Sequence, residues 1–142
     1  MDRNAHVVAA LAAGGRGATF PPAQVQKLFF LIDKEIPDAV GGPHFEFVPY
    51  DYGPFDRSVY DALDELEADG KVFISDAGKY RQYGLTDSGW ICGQALLAAI
   101  KPEARKFIED AACWVNKLNF SQLVSAIYKR YPEMKERSIF QV

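Results

Sequence analysis

Apolar positions along this chain recur mostly at spacings of three and four, and in a few stretches at two, which separates helices from strands. Val25, Leu28, Phe29, Ile32 and Ile36 mark one face of a helix behind Pro21 and Pro22, which suit a first helical turn. A shorter apolar helix precedes it over residues 4–13 and stops at Gly14, Gly15 and Gly17. Residues 44–49 (His44-Phe45-Glu46-Phe47-Val48-Pro49) alternate polar and apolar and read as a half-buried strand. Tyr52-Gly53-Pro54-Phe55 reads as the turn that launches a third helix, with Phe55, Val59, Leu63 and Leu66 as its buried stripe and Gly70 as its stop. Residues 72–75 and 80–84 read as two strands of a hairpin closed by Asp76-Ala77-Gly78-Lys79.

The second half is helical. Thr86 is placed to cap a fourth helix, with Asp87 at its positive end. Pro102 starts a fifth, with Ala104, Phe107, Ile108, Ala111, Val115 and Leu118 on one side. Asn119 and Gln122 resemble a capping box for a sixth, carrying Phe120, Leu123, Val124 and Ile127 and ended by Pro132.

This series predicts an α+β chain of the winged helix-turn-helix type. The third helix is then the candidate recognition helix and the hairpin the wing. Leu85, Thr86 and Gly89 directly after the second wing strand fit that arrangement. Residues 1–142 form a single expected domain, with a winged-helix part over 1–85 and a helical extension over 86–142 suited to dimerisation or partner binding. Fold alone does not dictate function.

Several runs suggest a family. Gln26-Lys27-Leu28-Phe29-Phe30-Leu31, then Phe45-Glu46-Phe47 with Tyr50-Asp51-Tyr52-Gly53-Pro54-Phe55, then Tyr60-Asp61-Ala62-Leu63, resemble a group of uncharacterised prokaryotic winged-helix proteins related to the Panacea-type antitoxin domain. There a helix with a Lys-Leu pair precedes a Tyr-Gly-Pro turn. Phe120-Ser121-Gln122-Leu123-Val124 and Ile127-Tyr128-Lys129-Arg130-Tyr131-Pro132 resemble the C-terminal motif of that group. The resemblance implies a binding role, as antitoxin, adaptor or regulator, without catalysis.

Charge sharpens the choice of partner. The 142 residues carry a net charge of −3, which argues against coating nucleic acid by bulk charge. Residues 1–100 hold 8 basic and 14 acidic groups, or −6, and residues 101–142 hold 8 basic and 5 acidic groups, or +3. Between Phe55 and Gly70 stand Asp56, Asp61, Asp64, Glu65, Glu67 and Asp69 against Arg57 alone. A helix entering the major groove must approach phosphates, and this one would repel them. A protein partner is therefore the first expectation, met by Tyr50, Tyr52, Phe55 and Arg57 as an aromatic hot spot. The alternative is a DNA-binding transcriptional regulator using Lys79, Arg81 and Arg57, dimeric through the C-terminal helices.

Candidate chemistry is sparse. Cys92 and Cys113 have no zinc-ligand spacing and are expected to be buried, inert thiols. His44, Glu46 and Asp51 lack the spacing of a metal site, and no serine sits in a nucleophile elbow. Gly14-Gly15-Arg16-Gly17 follows a helix and lacks the Gly-Lys-Ser/Thr ending of a phosphate loop. No catalytic role, cofactor or metal is expected. The start of the chain shows no charged-then-apolar leader pattern and no apolar run reaches membrane-spanning length, so a cytoplasmic location is expected.

Overall fold

The computed structural model describes residues 1–140 and is an α+β chain with six α-helices and short antiparallel sheets among those residues. Helix α1 (Arg3–Ala12) leads through strand β1 (Thr19–Phe20) into α2 (Pro22–Glu35). A hairpin of β2 (Val48–Tyr50) and β3 (Gly53–Phe55) precedes α3 (Ser58–Ala68). Strands β4 (Val72–Ser75) and β5 (Gln82–Leu85) follow, then α4 (Asp87–Ala99), α5 (Pro102–Lys117) and α6 (Phe120–Arg130). Strand β5 lies between β1 and β4, all antiparallel.

The helix starts follow local chemistry. Asp2 accepts a hydrogen bond from the Ala5 amide, and Thr86 from the Gly89 amide. Asn119 and Gln122 form the full capping box. The core gathers Leu28, Phe29 and Ile32 of α2 with Leu63 of α3, Ile108 and Val115 of α5, and Leu123 and Ile127 of α6. Helix α2 is buried on every side from Gln24 to Asp33. Helices α1 and α4 pack closely because α4 presents Gly93 to α1. A side chain at Gly93 would meet Ala12 and the Val8 carbonyl.

Four sequence expectations change. Residues 44–47 form no ladder, because carboxylates take their amides. Asp33 Oδ2 accepts from the His44 and Phe45 N–H groups at 3.0 and 2.9 Å, and Asp56 Oδ2 accepts from Glu46 N–H at 2.7 Å. The strand begins only at Val48. Second, Gly53-Pro54-Phe55 is not a helix start but the return strand of a hairpin, in register Val48↔Phe55, Pro49↔Pro54 and Tyr50↔Gly53. Facing prolines fit there because that pair needs no ladder N–H. Third, α3 therefore begins at Ser58, and Phe55 leaves its buried stripe to Val59, Leu63 and Leu66. Asp56, just before the Arg57 cap position, holds the first residue of the helix, its Oδ1 accepting from both the Ser58 N–H and hydroxyl. Fourth, β5 starts at Gln82, so the loop after β4 is longer than the glycine turn alone. Strand β1 is an addition that two residues could not announce.

No helix among the described residues is long and apolar enough to cross a membrane.

Candidate binding groove

The hairpin, the first turns of α2 and the α5–α6 junction enclose a groove of about 700 Å³. Pro22, Gln26 and Lys27 line it from α2, and Tyr50, Tyr52, Gly53 and Phe55 from the hairpin. Leu118, Phe120 and Leu123 line the far side, with Tyr60 of α3 and Tyr80 of the β4–β5 loop completing it. Tyr50 stacks on Phe55 at 4.9 Å between ring centroids, and Phe55 meets Tyr60 edge-on at 5.9 Å. Across the groove Tyr52 sits edge-on to Phe120 at 5.0 Å, and Phe140 adjoins Phe120 at 5.7 Å. Tyr50, Tyr52 and Phe120 remain between 42% and 47% exposed, which is high for rings held in mutual contact.

The chain's last turn fixes the hairpin tip. The Asp51 carbonyl accepts from the Ile139 N–H at 3.0 Å and from the Ser138 hydroxyl at 3.3 Å. Tyr128 in turn donates to Ser138. Gly53, at φ +105°, lets the returning strand lie against Tyr128 and the stem of Lys27, with no side chain of its own to push them away.

Lys27 is the group that the aromatic rings surround. It is only 4% exposed, yet its side chain makes no hydrogen bond or ion pair among the described residues. Burial lowers its amine from 10.5 to about 8. Two side-chain atoms are sealed from solvent without a partner, His6 Nε2 and Asp33 Oδ1. The Lys27 amine is not one of them, because it opens on the groove. Asp51 is the other charged residue lining that surface.

Of the partner-binding residues expected from sequence, the structure brings Tyr50, Tyr52 and Phe55 to one groove and leaves Arg57 outside it. Arg57 lines a neighbouring hollow of about 440 Å³ with Arg81, Asp61 and Asp64. Arg81 donates from Nε to Asp76 Oδ1 at 3.0 Å, which holds its guanidinium above the usual range. Lys79 lies over the Tyr80 ring at 5.4 Å and does not line that hollow. Helix α3 itself carries Asp61, Asp64, Glu65 and Glu67 with no basic residue. Glu65 is tied to Arg3 at 2.7 Å.

The cysteines depart from expectation. Cys92 is half-buried and Cys113 exposed, because Cys113 lies off the Ala104, Ile108, Ala112 and Val115 face of α5. Phe120 likewise leaves the buried stripe of α6 for the groove. A polar cluster forms elsewhere, with His6 stacked on His44 at 4.9 Å and His44 Nε2 bonded to the Val40 carbonyl at 2.7 Å. Among the described residues, no three His, Cys, Asp or Glu side chains converge to hold a metal ion.

No family model, curated protein or solved structure matches the chain.

Lys27 and Phe120 are among the groove residues that sequence reasoning did not select. Phe120 follows its helix cap directly, where a large ring is unusual in a solvated turn. For Lys27 the signal was its neighbour run Leu28-Phe29-Phe30-Leu31-Ile32, five apolar residues that leave the helix no solvent face.

Proposed function

We propose that this protein is a protein-binding module of winged-helix type, acting as an antitoxin or adaptor domain without catalysis. One observation carries the reading. Tyr50, Tyr52 and Phe120 stay exposed around a continuous groove whose hairpin is pinned by Ser138 and Ile139. Prearranged aromatic rings in a concave site supply binding energy at low entropic cost. Helices α1, α2 and α3 followed by the β4–β5 hairpin, with β1 paired beside it, support the winged-helix assignment, and the β2–β3 hairpin is an insertion between α2 and α3. The resemblance of the Tyr-Gly-Pro segment to Panacea-type antitoxin domains supports the class of partner.

The DNA-binding alternative draws less support. Arg57 and Arg81 share their hollow with two aspartates, and α3 offers phosphates four acids and no cation.

The test is affinity purification of the tagged protein from its native host, alongside a Tyr52→Ala/Phe120→Ala double variant. A stoichiometric protein partner retained by the parent and lost by the variant is the expected result. A folded parent with no partner, or a partner held equally by both, overturns the reading.

A further inference from the structure

We propose that the groove recognises an extended acidic-aromatic segment of the partner protein, with one Asp or Glu carboxylate seated on Lys27 and apolar neighbours against Tyr52 and Phe120. This rests on the protein-binding reading above and names the chemistry of its ligand.

Lys27 sets the chemistry of the groove. A buried ammonium is costly unless paired, and nothing among the described residues pairs it. Rings and apolar side chains dominate the groove around it, and Asp51, the acid that lines it, makes no ion pair with Lys27, so the counter-charge is to come from outside. Charge complementarity then sets the sign and number. Lys27 is the one cation lining the groove and is not paired with Asp51, so the groove suits a single anionic group. A nucleic-acid strand would bring a phosphate at every nucleotide and needs a row of cations that is not there. A single carboxylate between apolar side chains fits.

The hairpin explains why side chains, rather than backbone, must do the recognising. Pro49 and Pro54 oppose each other, so neither outer strand edge offers an N–H at that position. A ligand adding as another strand would lose those ladder bonds. Affinity therefore comes from the rings, and selectivity from the lysine. Replacing the ligand's carboxylate by an amide leaves the ammonium without its counter-charge, and such loss discriminates strongly.

The test uses the full chain and short fluorescent peptides with an aromatic–Glu–aromatic or aromatic–Asp–aromatic core, each with its Gln or Asn counterpart. Fluorescence anisotropy at pH 6.5 and at pH 9.5 reads the affinities of the parent and of Lys27→Met. The acidic peptide is expected to bind the parent at pH 6.5 at least tenfold more tightly than its amide counterpart. That preference should shrink at pH 9.5 and vanish in Lys27→Met. The pH comparison needs no variant, so it stands if Lys27→Met fails to fold. Equal affinities, no saturable binding of any peptide, or a preference that survives in Lys27→Met overturns the proposal. So does displacement of bound peptide by a single-stranded oligothymidylate at lower concentration than by unlabelled peptide, which would assign the groove to nucleic acid. If a host partner is retained through Tyr52 and Phe120 while the acidic preference is absent, this inference fails alone. If no partner is retained either, the protein-binding reading fails with it.

Discussion

Gln26 grips the backbone of Asp56 from both sides. Its Oε1 accepts from the Asp56 N–H at 2.9 Å, and its Nε2 donates to the Asp56 carbonyl at 3.0 Å. Gln26 is 1% exposed, so no water replaces it easily. Because Asp56 also accepts from the Ser58 amide at the start of α3 and from the Glu46 amide, this one contact joins α2, the groove hairpin and the third helix. Gln26→Leu keeps the volume but strands both Asp56 backbone groups. It is expected to cost about 2–4 kcal/mol in chemical denaturation. A loss under about 0.5 kcal/mol, the range of ordinary surface changes, would show that the clasp is dispensable.

His6 makes the fold acid-sensitive in a definite window. Burial, then the neighbouring His44 and the N-terminal amine, lowers its pKa from 6.5 to about 3. Between those values the unfolded chain binds a proton that the folded chain refuses. Stability from this group is therefore complete above pH 6.5 and declines as pH falls towards 3, by up to about 1.4 kcal/mol per pH unit. Asp33, raised by burial, works in the opposite direction and is left unchanged in a His6→Leu variant. The variant is expected to lose less stability than the parent between pH 7 and pH 4.5, read by urea denaturation at each pH. Parallel acid profiles for the two proteins would refute this.

The start of α4 packs tightly on the backbone just before β4, at Lys71. A Cβ at Gly89 would overlap the Lys71 carbonyl oxygen, a backbone atom that cannot swing away. The Lys71 carbonyl also accepts the Thr86 amide, so moving it disturbs the helix start as well. Gly89→Ala is expected to destabilise by more than about 2 kcal/mol, despite the better helix propensity of alanine. A melting temperature equal to or above the parent's would contradict it.

What could be read from the sequence divides along the range of each interaction. The Thr86–Gly89 and Asn119–Gln122 caps are set by residues three apart, and spacing alone identifies them. The β2–β3 hairpin was hidden because Pro54 reads as a helix opener. Only the facing of Pro49 and Pro54 across the turn makes them compatible with a ladder. Residues 44–47 alternate like a strand, but their amides go to Asp33 and Asp56, ten and more positions away. The groove shows the same division. Tyr50, Tyr52 and Phe55 crowd together in sequence, whereas Phe120 reaches Tyr52 only through the fold. Arg57 stands next to the cluster in sequence, but α3 carries it to the neighbouring hollow.

Lys27 should leave its own mark on stability. Its pKa falls from 10.5 to about 8 on folding, and burial is the cause. Between pH 8 and 10.5 the unfolded chain holds a proton that the folded chain has released. Stability therefore rises with pH through that window, and the full cost of the buried ammonium is felt below pH 8. The gap corresponds to about 3 kcal/mol, an upper figure because Lys27 lines an open groove. Lys27→Met keeps the length of the stem and removes the charge. It is expected to unfold at a higher denaturant midpoint than the parent at pH 7, with the difference narrowing towards pH 10. The gain tests the isolated protein and needs no ligand. A Lys27→Met protein no more stable than the parent at pH 7, or a difference that does not narrow towards pH 10, would contradict this.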